Sequence, residues 1–191
     1  MTRSLEGILL RLSLSATNKV TTTGGRASTG GAGLSSNPTI TTGIGISEAN
    51  RIWEYSATLL EAGTLVVDLY DLGSLDTGAG AGRDNLGQIM ALYEIVAIAI
   101  MNESVSISVS SDSDSDTLPC LSIQPDATNG WGPIGSHTVA TGGALQSGGI
   151  LYKLQIEEVA FPVVDGSSHR VLLTAVGGDI DFKIMVLGRG A

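Results

Sequence analysis

Glycine punctuates this chain so densely that no apolar run grows long. There are 26 glycines among 191 residues, and the longest purely apolar stretch covers only residues 95–101. A run of that size fits one buried strand and falls far short of the ~18 residues that suggest a membrane-spanning helix. Charged residues make up 15% of the chain, against roughly 25% in an average soluble domain, which argues against helices with solvated charged faces. Hydrophobic residues reach 42%, enough to exclude a wholly disordered protein. A chain this long fits one domain, or one domain with an appendage. Short strands between glycine loops are the expectation.

The apolar residues support that reading by their spacing. Ile8, Leu10, Leu12 and Leu14 recur with period two, as on a half-buried strand. Residues 17–45 then run through Gly, Ser and Thr with few side chains able to fill a core. They read as an extended arm or long loop that a neighbouring subunit orders. Trp53, Tyr55, Ala57 and Leu59 alternate with polar residues as a strand, with a helix from Ser47 as the alternative. Residues 65–69 and 92–101 read as strands buried on both faces, and residues 85–91 as a helical turn. Val105, Ile107 and Val109 alternate with serines. Leu121 and Ile123, then Tyr152, Leu154 and Ile156, mark further short strands. Residues 170–176 and 180–187, joined by Gly177, Gly178 and Asp179, read as a hairpin. The sum is eight or nine short strands and no convincing long helix. We therefore expect an all-β, jelly-roll-type β-sandwich body over residues 53–191, preceded by an N-terminal arm over residues 1–52.

Charge is divided along the chain. Residues 1–53 hold five basic residues against Glu6 and Glu48, whereas residues 54–191 hold five basic and 17 acidic ones. A mildly basic arm on an acidic body suits docking. The arm lacks the dense Lys/Arg blocks that phosphate contacts use, so no nucleic-acid partner is expected. No membrane partner is expected either. Arg11 interrupts the first apolar run, which is unlike a secretory leader, and no cleaved presequence is expected although residues 7–47 lack acidic side chains.

Candidate chemical sites are few. The lone Cys120 excludes an internal disulfide framework and reads as a small apolar residue. Asp112, Asp114 and Asp116 form an alternating acidic row. As a calcium loop it lacks the turn glycine (Thr117 stands there) and the terminal glutamate (Ile123 stands there), so it reads as the solvated edge of a strand. Residues 78–83 look superficially like a phosphate cradle but meet neither required glycine spacing. His137 and His169 are the only histidines and read as exposed loop residues, and no nucleophile elbow or zinc-protease motif occurs. Trp53 and Trp131 read as core plugs, with sugar stacking as the rival. Neither an enzymatic activity nor a cofactor or metal requirement is expected.

Several segments in order carry a resemblance. They are Leu65-Val66-Val67-Asp68-Leu69, Leu86-Gly87-Gln88-Ile89, and the strand ending Ile100-Met101-Asn102-Glu103-Ser104. Then come Leu121-Ser122-Ile123-Gln124-Pro125, Gly130-Trp131, and Asp181-Phe182-Lys183-Ile184-Met185-Val186-Leu187-Gly188. Over residues 53–188 this order resembles small β-sandwich virion proteins of tailed bacteriophages, above all head decoration (cement) proteins. The resemblance implies a homo-oligomer, commonly a trimer, on the outer surface of the capsid, with the major capsid protein as partner. Ile8, Leu10, Leu12 and Leu14 are the expected assembly contact. Two other readings stay open: a carbohydrate- or receptor-binding module using Trp131 with Asp126 and Asn129, and a minor coat protein.

Overall fold

The computed structural model describes residues 8–9, 12–21, 27–36, 39–42, 44–45, 48–72, 75, 91–104, 119–155 and 157–190. Fourteen strands run through them: β1 (Ile8–Leu9), β2 (Leu12–Thr21), β3 (Ala27–Ser36), β4 (Thr39–Thr42), β5 (Glu48–Ala49), β6 (Arg51–Leu59) and β7 (Thr64–Asp68), followed by β8 (Leu92–Asn102), β9 (Cys120–Pro125), β10 (Leu145–Gln146), β11 (Ile150–Leu154), β12 (Phe161–Pro162), β13 (Arg170–Val176) and β14 (Ile180–Gly190). The described residues contain no α-helix, only 3-10 geometry at Leu72 and at Gly132–Ile134. The protein is all-β.

Two antiparallel sheets form a β-sandwich. One has the order β10-β9-β13-β7. The other has the order β11-β8-β14-β6, with β12 also paired to β8. Alternation sends one row of each strand inward. Val171, Leu173 and Ala175 of β13, with Leu121 and Ile123 of β9 and Val67 of β7, meet Phe182, Ile184 and Val186 of β14, Ile98 and Ile100 of β8 and Trp53 of β6. Burying a large aliphatic side chain is worth about 1.5–3 kcal/mol, so this shared layer holds the sheets together. Trp53 lies flat against Tyr55, with ring centroids 5.8 Å apart.

Three expectations are corrected here. The two strands expected as a hairpin belong to different sheets: β13 pairs with β7 and β9, while β14 pairs with β6 and β8. A glycine turn at positive φ (Gly177 77°, Gly178 153°) closes a hairpin or carries the chain around a sandwich corner, and its residues look alike in both cases. Strand β7 has only the face toward the opposite sheet covered: Val67 is buried in the inner core but Val66 is 40% exposed. Within residues 17–45, expected as an extended arm or long loop, residues 27–36 form β3 and pair with β2 from Leu12–Ser36 to Thr21–Ala27. The alternative helix from Ser47 is replaced by strands β5 and β6. The expected helical turn at 85–91 and the strand around Ile107 lie outside the described residues, apart from Ala91.

Strand β8 is buried on both faces over Ile95–Ile98, where a bulge re-aims it. Leu187 opposes Ala97 but Gly188 opposes Ile95, leaving Val96 as an extra residue. Ile95 and Ile98 therefore both reach the inner core, while Val96 and Ala97 join Leu187 in a second, outer cluster. The outer cluster is completed by Ile40 of β4, Ala49 of β5 and Ala160. Gly188 is required at the bulge, since a Cβ there would sit 2.8 Å from the Glu94 carbonyl oxygen and 2.8 Å from a Leu92 methyl.

Arg189 locks this outer layer and is fully buried. Its guanidinium presents five N–H donors, and five acceptors meet them. Nε donates to Glu48 O (3.1 Å), Nη1 to Glu94 Oε2 (2.7 Å) and Glu158 O (2.8 Å), and Nη2 to Gly45 O (2.6 Å) and Glu157 O (2.9 Å). Beside it the Asn50 side chain pairs with the Gly190 backbone in both directions at 2.8 Å. Gly45, Glu48 and Asn50 are thus fastened to the sheet that carries β14.

Substituting Arg189→Met leaves the Glu94 carboxylate and four carbonyls without their donor. The expected loss is about 3–5 kcal/mol, read as a lowered urea midpoint. The more exposed Lys183–Glu54 pair (2.7 Å) supplies the contrast: Lys183→Ala is expected to cost about 1 kcal/mol or less. Equal losses for the two variants would show that Arg189 does not lock the layer.

Candidate functional site

A polar cleft of about 510 Å³ opens at one end of the sandwich, lined by Asp68, Tyr70, Asp71, Asn129, Asp165, His169 and Arg170 among others. Asp68 ends β7 and organises the cleft floor. Its Oδ1 accepts the Tyr70 and Asp71 backbone N–H groups at 3.0 and 3.1 Å, turning the chain as an Asx motif does. Its Oδ2 faces His169 Nε2 at 3.5 Å and Arg170 Nε at 3.4 Å. The strand-ending aspartate is a structural latch first.

The opposite wall is strapped in place by the loop after β9. The Asn129 carbonyl accepts both the His169 and Arg170 N–H groups, at 2.9 and 3.0 Å, and the Trp131 N–H reaches Arg170 O at 2.8 Å. Asn129 adopts positive φ (62°), which Asn tolerates better than most residues. Gly130 must be glycine, because a Cβ there would lie 2.3 Å from the Asp126 carbonyl oxygen. Trp131 is fully buried, donates through Nε1 to Pro162 O (2.9 Å) and meets Phe161 edge-on.

These positions settle several sequence readings. Trp53 and Trp131 are both core residues with no exposed ring, so neither is a sugar platform, and Trp131 does not form an exposed site with Asp126 and Asn129. His169, expected as an exposed loop residue, is buried at 3% exposure because Asp68 and the Val164 carbonyl (3.0 Å from Nδ1) hold it as a strut. His137 is half-buried, with Nε2 3.1 Å from Ile134 O and its backbone bridged to Ile123. Cys120 is buried, and that burial pushes its thiol up from the ordinary range. Asp112, Asp114 and Asp116, residues 78–83, and Leu10 lie outside the described residues. Among the described residues no cluster of three or more His, Cys, Asp or Glu side chains has the arrangement of a metal site.

Ile8 pairs with Ile40, and Leu12 and Leu14 pair with Ser36 and Leu34, so these strands find backbone partners within the chain. Asp71, Asp165 and Arg170 of the cleft were not singled out from the sequence. The adjacent His169 and Arg170 at a strand start were the only local signal.

The cleft combines carboxylates, an amide, a guanidinium and a 39%-exposed tyrosine ring, Tyr70. Such a set hydrogen-bonds hydroxyl-rich ligands and offers an aromatic face. No family model, curated protein or solved structure matches the chain.

Two outcomes check this geometry. Asp68→Ala is expected to lower stability by about 1–3 kcal/mol, and Asp68→Asn by less, because the amide oxygen retains the turn bonds. Thermal denaturation that ranks them in reverse would show the ionic contacts outweigh the turn. Cys120 is expected to react with thiol reagents only as fast as the protein unfolds, and rapid labelling of the folded chain would contradict its burial.

Proposed function

We propose that the two sheets form a jelly roll and that the chain is a structural subunit of a virus particle, of the decoration kind found on tailed-phage heads. Strand order carries this reading. Taking β12 with β11, the sandwich strands from β6 to β14 number eight in chain order. One sheet arranges them first, eighth, third, sixth, and the other second, seventh, fourth, fifth. A double Greek key wound around one core generates that interleaving, and double-sheet jelly rolls serve as viral capsid and lectin domains.

A rigid sandwich bearing an arm suits mechanical work. On the outer capsid surface, the subunit would add buried area where capsomers of the major capsid protein meet. Many weak copies then stabilise a shell through multivalency. Self-association, as a homotrimer, accompanies this role, and the strand region of Leu12 and Leu14 is part of its contact. A carbohydrate-binding module is the second reading, favoured by the cleft of Asp68, Asp71, Asp165, Asn129 and Tyr70.

Imaging the particle that carries this chain tests the proposal. Density for it is expected on the capsid exterior at capsomer junctions. Its absence from the head, together with glycan binding that Asp165→Ala abolishes, would replace the first reading with the second.

A further inference from the structure

The two residue pairs that close succinimide rings most readily, Asn-Gly and Asp-Gly, occur once each in the sequence, as Asn129-Gly130 and Asp165-Gly166. The fold brings both to the same polar cleft, where Asn129, Asp165 and Gly166 line the walls. Glycine makes such a pair reactive, because without a Cβ its backbone nitrogen is open to the side-chain carbonyl carbon of the residue before it. In an unfolded chain the asparagine pair reacts first, since its amide expels ammonia more readily than a carboxyl group loses oxygen at neutral pH. The structure treats the two pairs in opposite ways.

Asn129-Gly130 is held shut. The Asn129 carbonyl accepts the His169 and Arg170 N–H groups at 2.9 and 3.0 Å, and on the far side of Gly130 the Trp131 N–H donates to Arg170 O at 2.8 Å. Gly130 lies between these anchors, packed so closely that a Cβ would stand 2.3 Å from the Asp126 carbonyl oxygen and 2.7 Å from Pro125 Cβ. Swinging the Gly130 nitrogen onto Asn129 Cγ would break these bonds, so ring closure there waits on local unfolding. Asp165-Gly166 is open. It forms the tip of a turn whose bonds run between Val164 and two serines: Val164 N–H to Ser168 O (3.0 Å), and the Ser167 and Ser168 N–H groups to Val164 O (3.2 and 2.9 Å). Neither Asp165 nor Gly166 contributes a backbone group to these bonds. Both residues are exposed, Gly166 sits at positive φ (70°), and beyond its chain neighbours nothing lies within 4 Å of where its Cβ would stand.

We propose that Asp165 is a site of spontaneous isomerisation to isoaspartate, while Asn129 keeps its amide for as long as the chain stays folded. In the first step the Gly166 nitrogen bonds to Cγ of the protonated Asp165 carboxyl. The nitrogen's proton and the carboxyl hydroxyl leave together as water, and a five-membered succinimide forms. Water is the co-reactant of the second step. Adding to Cγ, it breaks the new bond and restores aspartate. Adding to the Asp165 backbone carbonyl carbon, it breaks the original peptide bond and leaves Gly166 attached through Cγ. The backbone then runs through Cβ and Cγ, one carbon longer, and the carboxylate at the cleft rim is re-aimed. The change reaches the cleft floor through the root of the turn, because Val164 O is 3.0 Å from His169 Nδ1. This chemistry belongs to the chain itself and depends on neither of the roles proposed above.

The test incubates the full chain for weeks at neutral pH and physiological temperature, folded and in concentrated urea, and maps its peptides by mass spectrometry. Trypsin releases residues 154–170, which carry Asp165 and no asparagine. In the folded sample a second form of this peptide, equal in mass but eluting separately, is expected to accumulate. Electron-transfer fragmentation is expected to place isoaspartate at 165, while the peptide holding Asn129 shows no mass gain. In urea the order is expected to reverse, with Asn129 losing its amide several-fold faster than Asp165 isomerises. Asp165→Glu keeps the charge but has to close a six-membered ring, which forms far more slowly, so the second form is expected to vanish. Three results would overturn the proposal: a folded chain that loses the Asn129 amide faster than Asp165 isomerises, a peptide 154–170 that stays a single species, or a second form that persists in Asp165→Glu.

Discussion

The buried guanidinium of Arg189 is the point on which the outer half of this molecule turns. An arginine at 0% exposure is tolerable only when every donor is answered, and here a strand carboxylate and four backbone carbonyls do so. The acceptors come from the arm turn at Gly45 and Glu48, from strand β8, and from the loop at Glu157 and Glu158. One side chain on a central strand thereby sets the position of three segments distant in sequence. The arrangement requires the bulge at Val96 and the missing side chain at Gly188, which let β8 press apolar residues to both sides of its sheet.

The loop architecture follows a different rule. Strand ends are closed by short polar latches. Asp68 accepts the N–H groups of Tyr70 and Asp71, and the buried Asn102 accepts Ser104 N–H at 3.0 Å while donating to Leu145 O at 2.9 Å. Gly130 and Trp131 strap the start of β13. Each has a local physical reason, since a strand that ends at a sandwich rim must satisfy its last backbone groups. The latches of Asp68 and of Asn129, Gly130 and Trp131 assemble the polar cleft beside the start of β8, while Asn102 closes the opposite end of that strand.

The outer apolar rows give the molecule a layered build. The inner core holds two sheets together, the layer of Ile40, Ala49, Val96, Ala97, Ala160 and Leu187 holds the arm base, and the remaining open rows extend that layer outward. Each layer uses the same alternation of side chains, shifted by one face. A chain with only 15% charged residues has little polar material to cover such rows, so part of that apolar surface stays exposed.

Local pattern by itself determined the class of this protein. Period-two alternation at Trp53, Tyr55, Ala57 and Leu59, and again from Val171 to Ala175, specifies strands, because side-chain direction along an extended backbone depends on nothing beyond the backbone. Frequent glycine and scarce charge then leave a β-sandwich as the form able to bury those rows. Tertiary structure alone decided the pairing. Whether Gly177 and Gly178 close a hairpin or turn a corner depends on which distant strands flank β13 and β14, and those partners, β7, β9, β6 and β8, lie as far away as Arg51 from Gly188. The burial of His169, the cleft beside it and the hub at Arg189 were hidden for the same reason. Their partners, Asp68, Val164, Gly45 and Glu94, carry no sequence mark of one another until the sheets bring them within hydrogen-bond reach.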